Sequence, residues 1–180
     1  MNSVVLLSGG LDSAVCIALA KNDGRDLQGL HVQYGQRNAF EEQQAATAVA
    51  KYYDTPLTVV QTQLWGLSSS GTYYVPGRNT VLLALAAAFA EVLGGDLWIG
   101  CNQDDWADYP DCRPEFLNAM REVIKRPIVA PLLHLTKHEV VNYARSLNVP
   151  VHLTWTCYQP QNGQACGVCN ACKLRMSATD

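Results

Sequence analysis

Val4–Val5–Leu6–Leu7 is an unbroken apolar run with β-branched residues, and it empties directly into Ser8–Gly9–Gly10. A strand with no polar alternation has no face for water, so it must be covered on both sides, as in a parallel sheet. A helical pattern, Ala14 to Lys21, opens at Asp12–Ser13 and stops at Asn22–Asp23–Gly24. Leu27 to Tyr34 then reads as a strand, Asn38 to Tyr53 as a helix without Gly or Pro, and Leu57 to Thr62 as a third strand after Pro56. Strand, helix, strand, helix, strand dictates right-handed crossovers and helices over both faces of the sheet. Trp65 to Gly71 reads as a Ser- and Gly-rich loop, and Pro76–Gly77–Arg78–Asn79 as a tight turn. A helix from Val81 to Leu93 is expected, capped by Asn79 or Thr80. Asp96 to Gly100 reads as a fourth strand, Asn102 to Arg113 as a polar loop, and Glu115 to Ile124 as a helix. A short strand ends near Val129, and Thr136 caps a helix from Lys137 to Leu147. The expected fold is therefore α/β, an open and mostly parallel sheet, in one domain spanning 1–180.

Ser8–Gly9–Gly10–Leu11–Asp12–Ser13 joins the first strand to the first helix. A helix N-terminus carries unpaired N–H groups and partial positive charge, and two glycines let the backbone approach an oxyanion closely. Ligands of open parallel sheets bind beyond the carboxyl ends of the strands, where this loop lies. The Gly-Lys-[Ser/Thr] ending of the Walker loop is absent, and so is the dinucleotide fingerprint. The pattern resembles the SGGxDS signature of the ATP-pyrophosphatase (PP-loop) superfamily, whose members bind the pyrophosphate of ATP and transfer AMP. That resemblance implies an adenine nucleotide alpha hydrolase-like fold. It also implies a nucleotide-binding stretch of Leu7, Ser8, Gly9, Gly10, Leu11, Asp12, Ser13 and Ala14.

Cys157, Cys166, Cys169 and Cys172 have the spacing C-x8-C-x2-C-x2-C. Seven cysteines, four of them clustered, do not resemble a secreted disulfide framework, and in a reducing compartment such thiols hold metal. Four thiolates suit one tetrahedral, structural zinc per chain, in a segment covering 155–175. An iron–sulfur cluster is the rival occupant. Cys16 reads as core, and none of the four histidines has a spacing that marks a catalytic base.

Four further blocks narrow the family: Tyr34–Gly35–Gln36–Arg37, Val75–Pro76–Gly77–Arg78–Asn79, Tyr109–Pro110–Asp111–Cys112–Arg113, and Cys157–Tyr158 ahead of the cluster. Together they resemble the 7-cyano-7-deazaguanine synthase (QueC) family from about Val4 to Leu174. The resemblance implies a ligase forming carbon–nitrogen bonds. It would turn 7-carboxy-7-deazaguanine and ammonia into 7-cyano-7-deazaguanine (preQ0) through two adenylations by Mg-ATP and an amide intermediate. It implies phosphate or carboxylate neutralisation by Arg37 and Arg78, a phosphate contact from Lys137, and a base contact from Asp111 or Asp108. Tyr109 and Trp106 are candidates to stack on the base. Another PP-loop adenylating enzyme, acting in tRNA thiolation or amidation, is the alternative, with Cys101 and Cys112 as its candidate thiol pair.

The net charge of −3 gives no broad basic face, so small molecules rather than nucleic acid are the expected partners. No basic-then-apolar leader opens the chain, and the apolar run Val81 to Ala90 is too short for a bilayer. The expectation is a cytoplasmic protein, and by resemblance a homodimer. The segment between the third strand and Val75 is shorter than such relatives carry, and the chain stops sooner after Cys172.

Overall fold

The computed structural model describes residues 2–64 and 74–179; the Ser- and Gly-rich loop expected at Trp65–Gly71 lies outside them. Five parallel strands form one sheet: β1 (Asn2–Leu6), β2 (Asp26–Gln33), β3 (Leu57–Gln61), β4 (Asp96–Trp98) and β5 (Ile128–Val129), in the order β3-β2-β1-β4-β5. β1 is central, with Val4 opposite Gln28 on one side and Leu97 on the other. The chain builds outward from β1 through β2 to β3, then crosses back to start again at β4. That reversal opens a crevice at the carboxyl ends of β1 and β4, the usual ligand position in such sheets.

Among the described residues there are six α-helices: α1 (Leu11–Asn22), α2 (Ala39–Tyr52), α3 (Arg78–Leu93), α4 (Pro114–Ile124), α5 (Lys137–Ser146) and α6 (Asn170–Thr179). Successive β1 side chains point to opposite faces, and both faces are dry. Val5 and Leu7 pack with Val15, Val49 and Val140 of α1, α2 and α5, whereas Val4 and Leu6 pack with Leu83 and Leu117 of α3 and α4. Each fully buried aliphatic side chain of this kind contributes about 1.5–3 kcal/mol. At the opposite end of the sheet, buried Asp96 accepts bonds from Ser3 Oγ, Trp98 Nε1 (3.1 Å) and Arg25 Nη1 (2.6 Å), so its charge is satisfied.

Two helix starts differ in kind. Thr136 caps α5 as expected, in a reciprocal pair with Glu139. α3 instead begins at Arg78, behind Gly77, which places Asn79 inside the first turn rather than at the cap. Its free N–H is satisfied from a distance: Asn79 N donates to Asp111 Oδ2 at 3.0 Å. Among the described residues no helix is long and apolar enough to cross a membrane.

Candidate functional site

The crevice holds a cavity of about 810 Å³, and the loop after β1 forms one end of it. Gly9 has φ +85°, and a Cβ there would lie 2.6 Å from the Glu42 carbonyl oxygen and 2.7 Å from the Ala46 nitrogen. Only glycine lets the loop lie this close to α2. Ser13 Oγ donates to the Gly10 carbonyl (2.9 Å), while the Ser8 hydroxyl bonds Ser13 Oγ (3.2 Å) and accepts from Gly10 N (3.2 Å). α1 starts at Leu11, so its first-turn N–H groups have no carbonyl within the helix. Leu7, Ser8, Gly10, Leu11, Asp12 and Ser13 all line the cavity. Gly9 lies behind them against α2, and Ala14 is wholly buried in the core.

Opposite this loop stands Lys137, the first residue of α5. Its Nζ lies 2.7 Å from both carboxylate oxygens of Asp12, and Asn102 Nδ2 donates to Asp12 Oδ2 at 3.1 Å. Burial works against the ammonium, but Asp12 outweighs it and holds the Lys137 pKa above its ordinary value. Asp104 accepts the Lys137 backbone N–H (2.8 Å). Asp105 is pushed up to about 6, by burial first and by the Asp12 charge second. The Asp12–Lys137 ion pair, 125 residues apart in sequence, thus brings a cation and a carboxylate to the N-terminus of α1.

The far end of the cavity is aromatic and carries the Arg78 guanidinium. Arg78 lies over the rings of Tyr34 (5.8 Å) and Tyr109 (5.7 Å), and its Nη1 donates to the Tyr34 hydroxyl at 3.3 Å. Tyr158 bonds Tyr109. Glu42 of α2 joins this wall: its Oε2 accepts from Gln36 Nε2 (2.8 Å) and its Oε1 from Asn38 Nδ2 (3.0 Å). Burial pushes the Glu42 pKa up, while Gln36, Arg78 and Asn38 draw it back. Sequence reading missed Glu42, which looked like any acidic residue in the first turn of a helix. It also missed Arg145 and Arg175, both on the cavity wall.

Of the remaining candidates, Asp108 and Cys101 reach the cavity wall, whereas Arg37, Asp111, Trp106 and Cys112 do not. Arg37 is exposed, while its neighbours Gln36 and Asn38 reach α2. Asp111 is buried behind the cavity, where it caps α3; Asp108 is exposed and on the wall. Trp106 packs edge-on against His134 (5.7 Å) and belongs to the core under α3 and α4. Cys101 and Cys112 are buried side by side, and Asn79 Nδ2 donates to Cys112 Sγ (3.3 Å). Their mutual hydrogen bond and burial raise the Cys101 thiol well above its ordinary range, which makes it a poor nucleophile.

Cys157, Cys166, Cys169 and Cys172 converge, with all four Sγ atoms within 4.8 Å of one another. Backbone N–H groups of Gln159 (3.3 Å) and Cys166 (3.2 Å) point at Cys157 Sγ, and that of Cys169 (3.4 Å) at Cys166 Sγ. Such donors stabilise thiolates; those of Val168 and Cys169 draw Cys166 down to about 6. Four thiolates at this separation fit one metal ion with a closed shell. The cluster is tied to the cavity. Asn38 Nδ2 donates to the Cys157 carbonyl (3.0 Å), and Trp155 N donates to the Gly9 carbonyl (2.9 Å).

The model of the family described as "Queuosine biosynthesis protein QueC" matches residues 2–71 and 67–180. The 7-cyano-7-deazaguanine synthase of Anaeromyxobacter sp. is 41% identical over 207 residues, covering 96% of this chain and 89% of that protein. The enzyme of the same name from Thermoplasma volcanium is 37% identical over 205 residues, 97% of this chain and 84% of that one. Both alignments are longer than the 180-residue chain, so the relatives carry residues absent here. The two family-model segments overlap at 67–71, in the stretch expected to be short. In fold, the chain is similar to NMN synthetase from Francisella tularensis (TM-score 0.63, 21% identity, 92% of this chain and 70% of that one). It is also similar to a 4-thiouridine synthetase solved as an RNA complex with bound ATP (TM-score 0.59, 22% identity, 93% and 44%).

Proposed function

The chain belongs to the QueC family, and on that premise we propose that it makes 7-cyano-7-deazaguanine from 7-carboxy-7-deazaguanine and ammonia, with ATP as activator. The observation that carries this reading is one cavity with two unlike ends. One end is a helix N-terminus with Ser8, Ser13 and Lys137, suited to polyphosphate; the other is an aromatic wall with Arg78, suited to a planar acid.

A carboxylate is a poor electrophile because its oxygen is a bad leaving group. Its attack on the α-phosphorus of ATP releases pyrophosphate and gives an acyl adenylate. Ammonia adds to the acyl carbon, AMP leaves, and a proton is lost, which yields the amide. The amide oxygen then attacks the α-phosphorus of a second ATP and releases a second pyrophosphate; loss of both amide N–H protons and departure of AMP leave the nitrile. In our assignment the Ser8–Ser13 loop grips the pyrophosphate in both rounds, while Lys137 leaves Asp12 to neutralise phosphate charge. Asp12, released, would hold the Mg²⁺ that accompanies the nucleotide, and the ion would offset polyphosphate charge. Arg78 holds the carboxylate of the acid against the α-phosphate. Asp105 can take the proton that ammonia loses.

The cysteine cluster takes one zinc per chain, which cross-links the 155–175 segment and supplies much of its folding energy. We further propose one cytoplasmic domain over 1–180 that assembles as a homodimer and works on small molecules rather than nucleic acid. The thiolation alternative needs an accessible reactive thiol pair, and burial of Cys101 and Cys112 speaks against it.

The test is mass spectrometry of products from the acid, ammonia and Mg-ATP. The expected result is nitrile with AMP and pyrophosphate, dependent on all three substrates. Saturating substrates with neither AMP nor nitrile formed would refute the proposal.

A further inference from the structure

A guanine-like base shows two adjacent donors on one edge, the ring N–H and the exocyclic amine. A matching site needs two acceptors side by side with no proton between them. Asp111 is turned away to cap α3, and Asp108 stands in solvent, where water competes for its lone pairs. Glu42 differs from both. It is on the cavity wall, and each oxygen is anchored by one side-chain amide, from Gln36 and Asn38, which are only 7% and 4% exposed. Each carboxylate oxygen can accept two bonds. One lone pair per oxygen therefore remains for a ligand, and the anchors fix the plane in which it is offered. Tyr34 and Arg78 flank it. Two unlike amide donors holding one carboxylate resemble the support that preorganised recognition groups require.

We infer that Glu42 is the specificity residue of the acid-binding end, reading the paired N–H donors of the deazaguanine edge. Adenine presents a donor beside an acceptor on the comparable edge, so it would set a ring lone pair against a carboxylate lone pair. Glu42 thereby keeps the adenine of ATP out of the acid's place in a cavity that must hold both. This assignment rests on the proposed reaction, and its test separates the two.

The substrates compared are the 7-carboxy acid and its 2-deamino analogue, which lacks the exocyclic amine. AMP release gives kcat/KM for each, and titration gives the ATP Kd. The wild-type protein should prefer the full substrate by about 10- to 100-fold, the loss expected when a charged acceptor is left unpaired. Glu42→Gln should lower kcat/KM for the acid by a similar factor and discriminate less than about threefold, with ATP Kd within twofold of wild type. A Glu42→Gln protein that keeps the wild-type preference overturns the assignment. So does one whose ATP Kd rises as much as its kcat/KM falls, since Glu42 would then only hold α2 against the loop. If Glu42→Gln does not fold, Glu42→Asp replaces it: the charge stays, the oxygens retreat by one methylene, and about tenfold should be lost for the acid alone. Unchanged kinetics in Glu42→Asp would overturn the assignment too. Wild-type protein that releases no AMP with either compound fails the reaction itself.

Discussion

Gly9→Ala is the sharpest test of how the phosphate loop is held. Two penalties add there. The first is conformational: φ is +85°, and an L side chain in the left-handed region costs about 1–2 kcal/mol. The second is steric. The new methyl would sit 2.6 Å from Glu42 O, 2.7 Å from Ala46 N and 2.9 Å from Ala45 Cβ, against α2 backbone that cannot swing aside. Overpacking of this kind costs about 1–3 kcal/mol. Gly24→Ala is the matched control, since φ is +68° and nothing lies within 4 Å of its Cβ. Both variants share the small gain from a stiffer unfolded chain, so it cancels. Urea unfolding should show Gly24→Ala weakened by about 1–2 kcal/mol and Gly9→Ala by about 2–5, with equal slopes. Gly9→Ala should also weaken ATP binding, because relief of the clash moves the loop off α2. Equal destabilisation of the two variants, within about 0.5 kcal/mol, would refute the claim that close approach fixes this glycine.

Two further outcomes follow from the site. Metal analysis should find one zinc per chain in the wild type and none in Cys169→Ser, whose Tm should fall by at least about 5 °C. The substitution should also weaken ATP binding through the Trp155–Gly9 bond, and an unchanged ATP Kd would show that the cluster and the loop are independent. Asp105 has its pKa raised from the ordinary 3.8 to about 6, so the native state holds its proton more tightly than the unfolded chain. The stability this lends is complete below the lower value and disappears as pH rises through the higher one. Urea midpoints of wild type measured against Asp105→Asn should therefore fall between about pH 4 and 6 and level off above; a flat difference would contradict the raised value.

The sheet was legible because its evidence is local. Val4–Leu7 has no polar residue to show to water, and Gly24 and Pro56 punctuate the helices on schedule. The phosphate loop and the cysteine spacing were legible for the same reason, since each is a short motif with its chemistry in one place. What escaped depends on distant partners. Nothing near Asn79 says that a carboxylate 32 residues later will satisfy its N–H and so pull Asp111 away from the cavity. Nothing near Lys137 says that Asp12, 125 residues earlier, will stand against it. Glu42 had only one local hint, the amides at Gln36 and Asn38, and these become anchors only when the chain turns into α2.

The bond from Trp155 N–H to the Gly9 carbonyl has a consequence for vectorial synthesis. β1 and its glycine turn leave the ribosome well before β4 and Trp155, so β1 lacks a neighbour strand and the turn lacks its brace until those later segments have followed. A half-made chain therefore has the signature for gripping a nucleotide without the means to hold it, and grip is acquired only once the thiol-rich segment has emerged and folded back.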